Sequence, residues 1–301
     1  MGHGIKGMNT EVHCCPLCSH EAVLIGKKSG RLDTREYTYF HCNSCHFSFI
    51  GNPRTDYAAI YSEDYYKGLG ADPMVDYLYE LDRPELTIRN YEWQGVCSIF
   101  NVLSPNGGRW LDFGCGAGGL VAYAKRHGLD VVGFEEGWGA QIGRLKGISI
   151  LSADELKAEK GRVDFVTAIE VMEHTVDPLA TLRVIRSLLK PGGIFFFTTG
   201  NAKPWRGRLL EWSYAACPEV HVSFFEPETL IFAMQKTGFE ARQGLSPDGF
   251  VGVIKYKLLK TLGLKNKSRI IDMLPWRLLS SIVDSRHQVS QLPIGVAINN
   301  G

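Results

Sequence analysis

From Arg109 onward the apolar residues gather into short runs of strand length, separated by stretches whose apolar positions recur at helical spacing. These runs predict seven strands, at Arg109–Asp112, Asp130–Glu135, Ile148–Leu151, Val163–Glu170, Ile194–Thr199, Phe239–Leu245 and Pro293–Ile298. Between them, Asp177-Pro178 offers an N-cap and a first-turn proline to a helix with Leu182, Ile185 and Leu189 on one face, stopped by Pro191-Gly-Gly193. A second helix runs from Pro227 through Leu230 and Met234 to Gly238. Such alternation buries a mostly parallel sheet under helices on both faces, the α/β class.

Upstream the pattern changes. Residues 1–55 hold two short β-like runs, Tyr37–His41 and Phe47–Ile50, set among cysteines, and read as a small metal-stapled module. Residues 56–104 read as a helical connector or lid, in which Asp72-Pro73 is the expected helix start and Pro84 a break. The third unit, 105–301, carries an insert at 250–291 before its last strand. There Lys255, Lys257, Lys260, Lys265, Lys267 and Arg269 alternate with apolar residues, which predicts a solvated amphipathic helix. Tyr57, Tyr61, Tyr65, Tyr66, Tyr77 and Tyr79 are expected to serve ordinary packing in preference to an aromatic lid.

Composition narrows the classes. Hydrophobic residues make up 45% and charged residues 22%, enough for a core without disulfides. A formal charge of +1 gives no general field to attract DNA or an acidic membrane. No apolar run approaches the roughly 20 residues that span a bilayer, and the polar stretch Met1–Glu11 lacks a secretory apolar segment. A cytoplasmic protein is the expectation, and in that reducing setting the crowded cysteines read as metal ligands. Cys15-Pro-Leu-Cys18 and Cys42-Asn-Ser-Cys45 suit a closed, structural four-thiolate zinc site. Cys14, His13, His41 and His46 compete as ligands, and the proline after Cys15 favours Cys15 over Cys14.

The strand ending at Asp112 leads into Gly114, Gly116 and Gly118, a turn that brings backbone close to a ligand at a helix N-terminus. Gly114, Gly116 and Gly119 also fit a dinucleotide fingerprint, with Glu135 near the expected ribose position. Asp112 weighs against that reading, because its charge would repel a pyrophosphate. A cationic ligand without phosphate suits it better.

These residues resemble the motifs of class I S-adenosylmethionine-dependent methyltransferases. Leu111-Asp-Phe-Gly-Cys-Gly-Ala-Gly118 is similar to the family's first motif, and Val132-Gly-Phe-Glu135 to the second strand with its ribose-binding acid. Ser152-Ala-Asp154 resembles the loop whose carboxylate meets the adenine amine. Phe165–His174 resembles the motif after strand four, and Leu188-Leu-Lys-Pro-Gly-Gly193 the turn before strand five. The resemblance implies a Rossmann-like sheet of seven strands with the last antiparallel, and S-adenosylmethionine held by Asp112, Gly114, Cys115, Gly116, Gly118, Glu135, Asp154 and Glu170. Glu136 doubles the acid at the ribose position. An N-terminal zinc ribbon followed by a Tyr-rich stretch resembles a branch of the family that modifies sugars and other small metabolites.

For the acceptor side, His174 after strand four and His221 before Phe224-Phe225-Glu226-Pro227 are the candidate general bases, with Glu173 a weaker one. The expected acceptor is a small molecule, such as a sugar or nucleotide-sugar. Two alternatives stand beside it: an RNA methyltransferase that docks RNA on the ribbon, and a noncatalytic module that binds S-adenosylmethionine. The RNA reading is weakened because strand four lacks an Asn/Asp-Pro-Pro-aromatic clamp and no Pro-Cys nucleophile follows strands four or five.

Overall fold

A computed structural model describes residues 13–73, 75–242, 247–279 and 294–299. Strands β1 (His13–Cys14), β2 (Glu21–Ser29), β3 (Glu36–His41) and β4 (Ser48–Ile50) form an antiparallel meander. Helices α1 (Tyr57–Ile60), α2 (Glu63–Tyr66), α3 (Tyr77–Asp82) and α4 (Arg89–Leu103) follow. Strands and helices then alternate: β5 (Trp110–Phe113), α5 (Gly119–Arg126), β6 (Val131–Phe134), α6 (Gly137–Leu145), β7 (Ile150–Leu151), α7 (Ala153–Ala158), β8 (Val163–Ile169), α8 (Pro178–Leu188) and β9 (Leu189–Thr198). The chain closes with β10 (Ser223–Phe224), α9 (Pro227–Lys236), β11 (Phe239–Arg242), α10 (Pro247–Thr261), α11 (Arg269–Met273) and β12 (Ile294–Asn299).

Seven strands build the main sheet in the order β7-β6-β5-β8-β9-β12-β11. Strands β5 to β9 are parallel, while β12 runs antiparallel to both β9 and β11. This is the expected α/β architecture with a reversed final strand. After β7 the chain returns to the far side of β5, so a crevice opens between the C-terminal tips of β5 and β8, where open α/β sheets bind ligands. Aromatic packing fixes that centre: Phe100 of α4 stacks on Trp110 at 5.1 Å, and Trp110 meets Phe165 edge-on at 5.8 Å.

Strand β10 does not join the main sheet. It pairs with β4 and becomes the fifth strand of the N-terminal sheet. The two parts share one core, which runs from Leu17, Phe40 and Phe47 through Phe225 and Met234 to Leu182 and Phe195.

Several local expectations are corrected. Helix α3 is capped by Asp76, whose side chain accepts from Tyr79 N–H at 2.8 Å, and Asp72-Pro73 lies in a turn before it. Leu189 starts β9 and does not end α8, since it pairs with Val163, and the segment Lys190–Gly193 loops out before Ile194 pairs with Phe165. Strand β11 is described only to Arg242, and Pro293 also lies outside the described residues.

Within the insert, α10 is not a solvated helix, although Lys265 and Arg269 beyond it are exposed. Val253, Ile254, Tyr256 and Leu259 of α10 are buried, and its lysines turn inward to partners while their stems fill the core. Lys255 reaches Asp272 at 2.9 Å and lies 3.4 Å from the centre of the Tyr91 ring. Helix α10 crosses α4 at two glycines: a Cβ on Gly95 would come within 2.6 Å of Val253 N, and one on Gly252 within 2.5 Å of the Tyr91 carbonyl. Backbone cannot yield there cheaply. Gly95→Ala is therefore expected to destabilise the protein by about 1–3 kcal/mol, the usual range for overpacking, read as a lowered thermal midpoint. An unchanged midpoint would show that the two helices part easily.

Candidate functional site

The crevice is a cavity of about 670 Å³ at the tips of β5, β6 and β8, within the size range of small-molecule sites. Its lining carries the carboxylates Glu92, Asp112, Glu135, Glu136, Glu170 and Asp177. Among the described lining residues the one Lys or Arg is Arg89, and it is paired with Glu80 and Glu92 at 2.9 and 2.6 Å. In their ionised forms the carboxylates without a basic partner, Asp112, Glu135 and Glu136 among them, would repel an anion. A cation would be drawn in.

The glycine turn forms the floor. Gly114, Gly116 and Gly118 have φ of 73°, 57° and 85°, in the left-handed region where a side chain is strained. Gly114 N–H donates to the Phe134 carbonyl at 2.8 Å and ties the turn to β6. Asp112, buried at the end of β5, accepts from Thr167 Oγ1 at 2.7 Å, and Thr167 in turn accepts from Trp110 Nε1 at 2.9 Å. Burial pushes the Asp112 carboxyl up to about 7, the Thr167 hydrogen bond opposes this, and the nearby Glu135 charge adds to it.

Glu135 folds back on the turn, accepting from Gly116 N–H at 3.0 Å and from Glu136 N–H at 2.9 Å. Burial raises it too, to about 7, against those two hydrogen bonds. It is partly exposed and lines the cavity. Glu136 is exposed and precedes α6, so of the acidic pair Glu135 is the one built into the turn.

Cys115 and Glu170 also line the cavity, whereas Gly118 and Asp154 do not. Gly118 makes room for packing, since a Cβ there would lie 2.7 Å from Ile148 Cγ2. The Ser152–Glu155 capping box starts α7 at Ala153 and turns the Asp154 carboxylate to solvent, where it pairs with Lys157 at 2.9 Å. Asp154, expected at the adenine, lies outside the cavity lining. Glu170 follows β8 with a left-handed φ of 56°. Burial opposes its charge, but Lys257, bonded to it, and Lys260, 3.7 Å away, outweigh that and hold it below the usual carboxylate range.

Tyrosines wall the opposite side. Tyr57, Tyr61, Tyr65, Tyr66 and Tyr77 all line the cavity, and all of these but Tyr57 also pack in or against one core cluster as expected, while Tyr79 does not reach the cavity. Tyr57, Tyr61 and Tyr65 recur every fourth residue, a one-face signal already present in the sequence. Trp93, Arg89 and Glu92 of α4 gave no local signal. Their place follows from the packing of α4 beside the turn, with the Trp93 ring 2.4 Å from where a Gly119 Cβ would stand.

His174 lines the cavity and His221 lies behind it, the ring centres 5.1 Å apart. His174 Nδ1 lies 2.9 Å from the Val220 carbonyl and 3.2 Å from Tyr61 Oη, and His221 Nδ1 lies 2.7 Å from the Tyr214 carbonyl. A carbonyl only accepts, so both rings carry their proton on Nδ1 and leave Nε2 a lone pair. Burial keeps them neutral: it lowers His174 to about 3, with His221 adding to the effect, and it lowers His221 against the pull of Asp72. Beneath them, Glu173 accepts from Tyr214 Oη and from Thr199 Oγ1 at 2.7 Å, and burial next to Glu170 pushes it up to about 7. Tyr214, absent from the sequence reading, stacks on His221 at 3.9 Å.

At the other end, Cys15, Cys18, Cys42 and Cys45 bring their sulfurs within 4.8 Å of one another, as a tetrahedral metal requires. Cys14 is exposed outside this group, and His41 bonds Ser48 Oγ at 2.8 Å. Among the described residues no helix is long and apolar enough to cross a membrane.

Comparison with known proteins agrees with this layout. A family model described as a methyltransferase domain matches residues 88–243, just over half of the chain. A ubiquinone biosynthesis O-methyltransferase of Acinetobacter baumannii is 38% identical over 109 residues, covering 33% of this chain and 46% of that protein. Its counterpart from Cereibacter sphaeroides is 35% identical over 148 residues, covering 44% and 60%. The chain spans about half the length of the curated relatives it matches. The plantazolicin methyltransferase BamL superposes with a TM-score of 0.48 at 15% identity, over 79% of this chain and 94% of that one. On the family match across residues 88–243, with its seven-stranded sheet and glycine turn, this chain belongs to the methyltransferase-domain family.

Proposed function

We propose that this chain transfers a methyl group from S-adenosylmethionine to a hydroxyl of a small-molecule acceptor. The observation that carries the reading is a carboxylate-lined cavity, with Asp112 and Glu135 at the glycine turn and a neutral histidine on its wall. The donor set fits this cofactor: carboxylates suit an ammonium and a ribose diol, and among the described lining residues the one Lys or Arg, Arg89, is already paired. When bound, S-adenosylmethionine supplies an electrophilic methyl on a sulfonium. Glu135 holds the ribose and Asp112 the cationic end. His174 would take the acceptor's proton, and the cofactor would supply the methyl group that the acceptor oxygen receives. The Val220 carbonyl and Tyr61 Oη hold His174 in place, with the His221 ring packed beside it.

A sugar meets these conditions. A nucleotide-sugar has to keep its diphosphate outside the carboxylate wall. A phenolic ring is the second reading, favoured by the tyrosine wall and by the names of the relatives. Calorimetry with S-adenosylmethionine and NADH, followed by transfer of radiolabelled methyl to sugars, nucleotide-sugars, catechols and RNA, tests the proposal. Binding of S-adenosylmethionine alone and label in a small molecule are expected. Tight NADH binding with no response to S-adenosylmethionine would overturn the reading, and label confined to RNA would refute the acceptor class.

A further inference from the structure

We propose that the N-terminal ribbon is a positioning element of the acceptor-side wall, so that the metal-stapled knuckles hold His174 and His221 in register as well as their own loops. For what the histidines do, this rests on the methyl-transfer reading. How they are held stands on geometry alone.

The segment 220–223 is clamped from two sides. On one side it belongs to the ribbon: Ser223 pairs with Phe49, Phe224 with Ser48, and Ile50 N–H donates to the Val222 carbonyl at 2.9 Å. On the other it grips the loop after β8. There Val222 N–H donates to the Glu173 carbonyl at 2.8 Å, Ser223 Oγ donates to the Thr175 carbonyl at 2.7 Å, and the Val220 carbonyl accepts from His174 Nδ1. His221 lies within the clamped segment. None of these strand pairings involves the main sheet, which reaches this segment through the loop after β8 and through the bridge of the neighbouring Phe225 to Asn201 beyond β9.

Further ties lead back to the knuckles. Tyr39 Oη donates to the Ala215 carbonyl at 2.6 Å, next to the Tyr214 carbonyl that fixes His221. Phe47 packs on Phe225 at 5.0 Å. Two side chains of α9 bond the knuckle backbone itself: Thr229 Oγ1 donates to the Cys45 carbonyl at 2.8 Å, and Lys236 Nζ to the Leu17 carbonyl at 2.5 Å. The cofactor end, built on β5 and β6, lies in the main sheet and shares no strand with the ribbon. Since a closed four-thiolate site contributes folding energy to a small module, metal loss loosens β4, then residues 220–223, then the histidine pair.

The test uses zinc-loaded full-length protein labelled at the histidine imidazoles, with His174→Gln and His221→Gln to identify the two signals. Elemental analysis is expected to give one zinc per chain, lost in Cys42→Ser. As a chelator withdraws zinc, the His174 and His221 signals shift or broaden, and they return when zinc is restored. Affinity for S-adenosylhomocysteine, measured by calorimetry, changes by no more than about twofold, as for independent sites. Unmoved imidazole signals after metal loss overturn the proposal. So does loss of cofactor affinity in parallel with the far-ultraviolet signal, because the metal would then staple the whole fold. A protein that holds no zinc after repletion refutes it as well. If the zinc-loaded protein never binds S-adenosylhomocysteine, the methyl-transfer reading fails separately, and the imidazole response still decides the coupling.

Discussion

Replacing His174 with alanine is expected to lower methyl-transfer turnover by about 10²- to 10⁴-fold, the usual contribution of a general base, while cofactor affinity stays near wild type. The geometry separates the two histidines. His174 lines the cavity, whereas His221 stands behind it, stacked on Tyr214. His221→Ala is therefore expected to cost stability and to slow turnover less. The pH profile carries a second signature. Because burial lowers His174 to about 3, it stays in its base form through the mildly acidic range, and no loss of activity near the ordinary histidine pKa of about 6.5 should trace to it. Wild-type turnover in both single variants would remove general-base catalysis from the mechanism and leave alignment of acceptor and methyl as its source.

Neutralising the carboxylates at the glycine turn should weaken cofactor binding strongly. Each charge-assisted hydrogen bond is worth about 1.5–3 kcal/mol, so Asp112→Asn or Glu135→Gln is expected to reduce S-adenosylmethionine affinity by roughly 10- to 100-fold. The same groups link binding to protons. Both are pushed up to about 7 in the empty protein, so a cationic ligand that prefers the ionised forms releases protons as it binds. Affinity should rise from about pH 6 to pH 8, and calorimetry in two buffers of different ionisation heat should report the release.

Stability moves the other way. These acids have folded pKa values near 7, above unfolded values of about 4, so their contribution is fully present below about pH 4 and is lost as pH rises through 7. Asp112→Asn, which removes a buried charge, should then flatten that dependence and raise the thermal midpoint of the empty protein at pH 8, even as it binds cofactor worse. Unchanged affinity in both variants would show that the turn holds something else.

The sequence by itself determined what rests on local pattern. Apolar runs and turn residues marked the succession of strands and helices along the chain, because period and glycine or proline punctuation are properties of neighbours along it. Gly114, Gly116 and Glu135 were legible since the turn needs left-handed backbone and the acid closes on it from the next strand. The paired knuckles placed four sulfurs together for the same reason, each loop being only a few residues long. What the tertiary structure decided lies in pairings between distant segments. The lysines of α10 look solvated in sequence, yet Lys257 crosses to Glu170, because α10 docks on α4 at two glycines that periodicity does not weigh. Asp154 matched a motif, but its capping box turns it to solvent. Residues 1–55 read as a small separate module, and the pairing of Phe49 with Ser223 that joins them to the rest came only with the fold, since strand register between remote segments is fixed by burial and hydrogen-bond closure, neither of which leaves a mark on the residues between them.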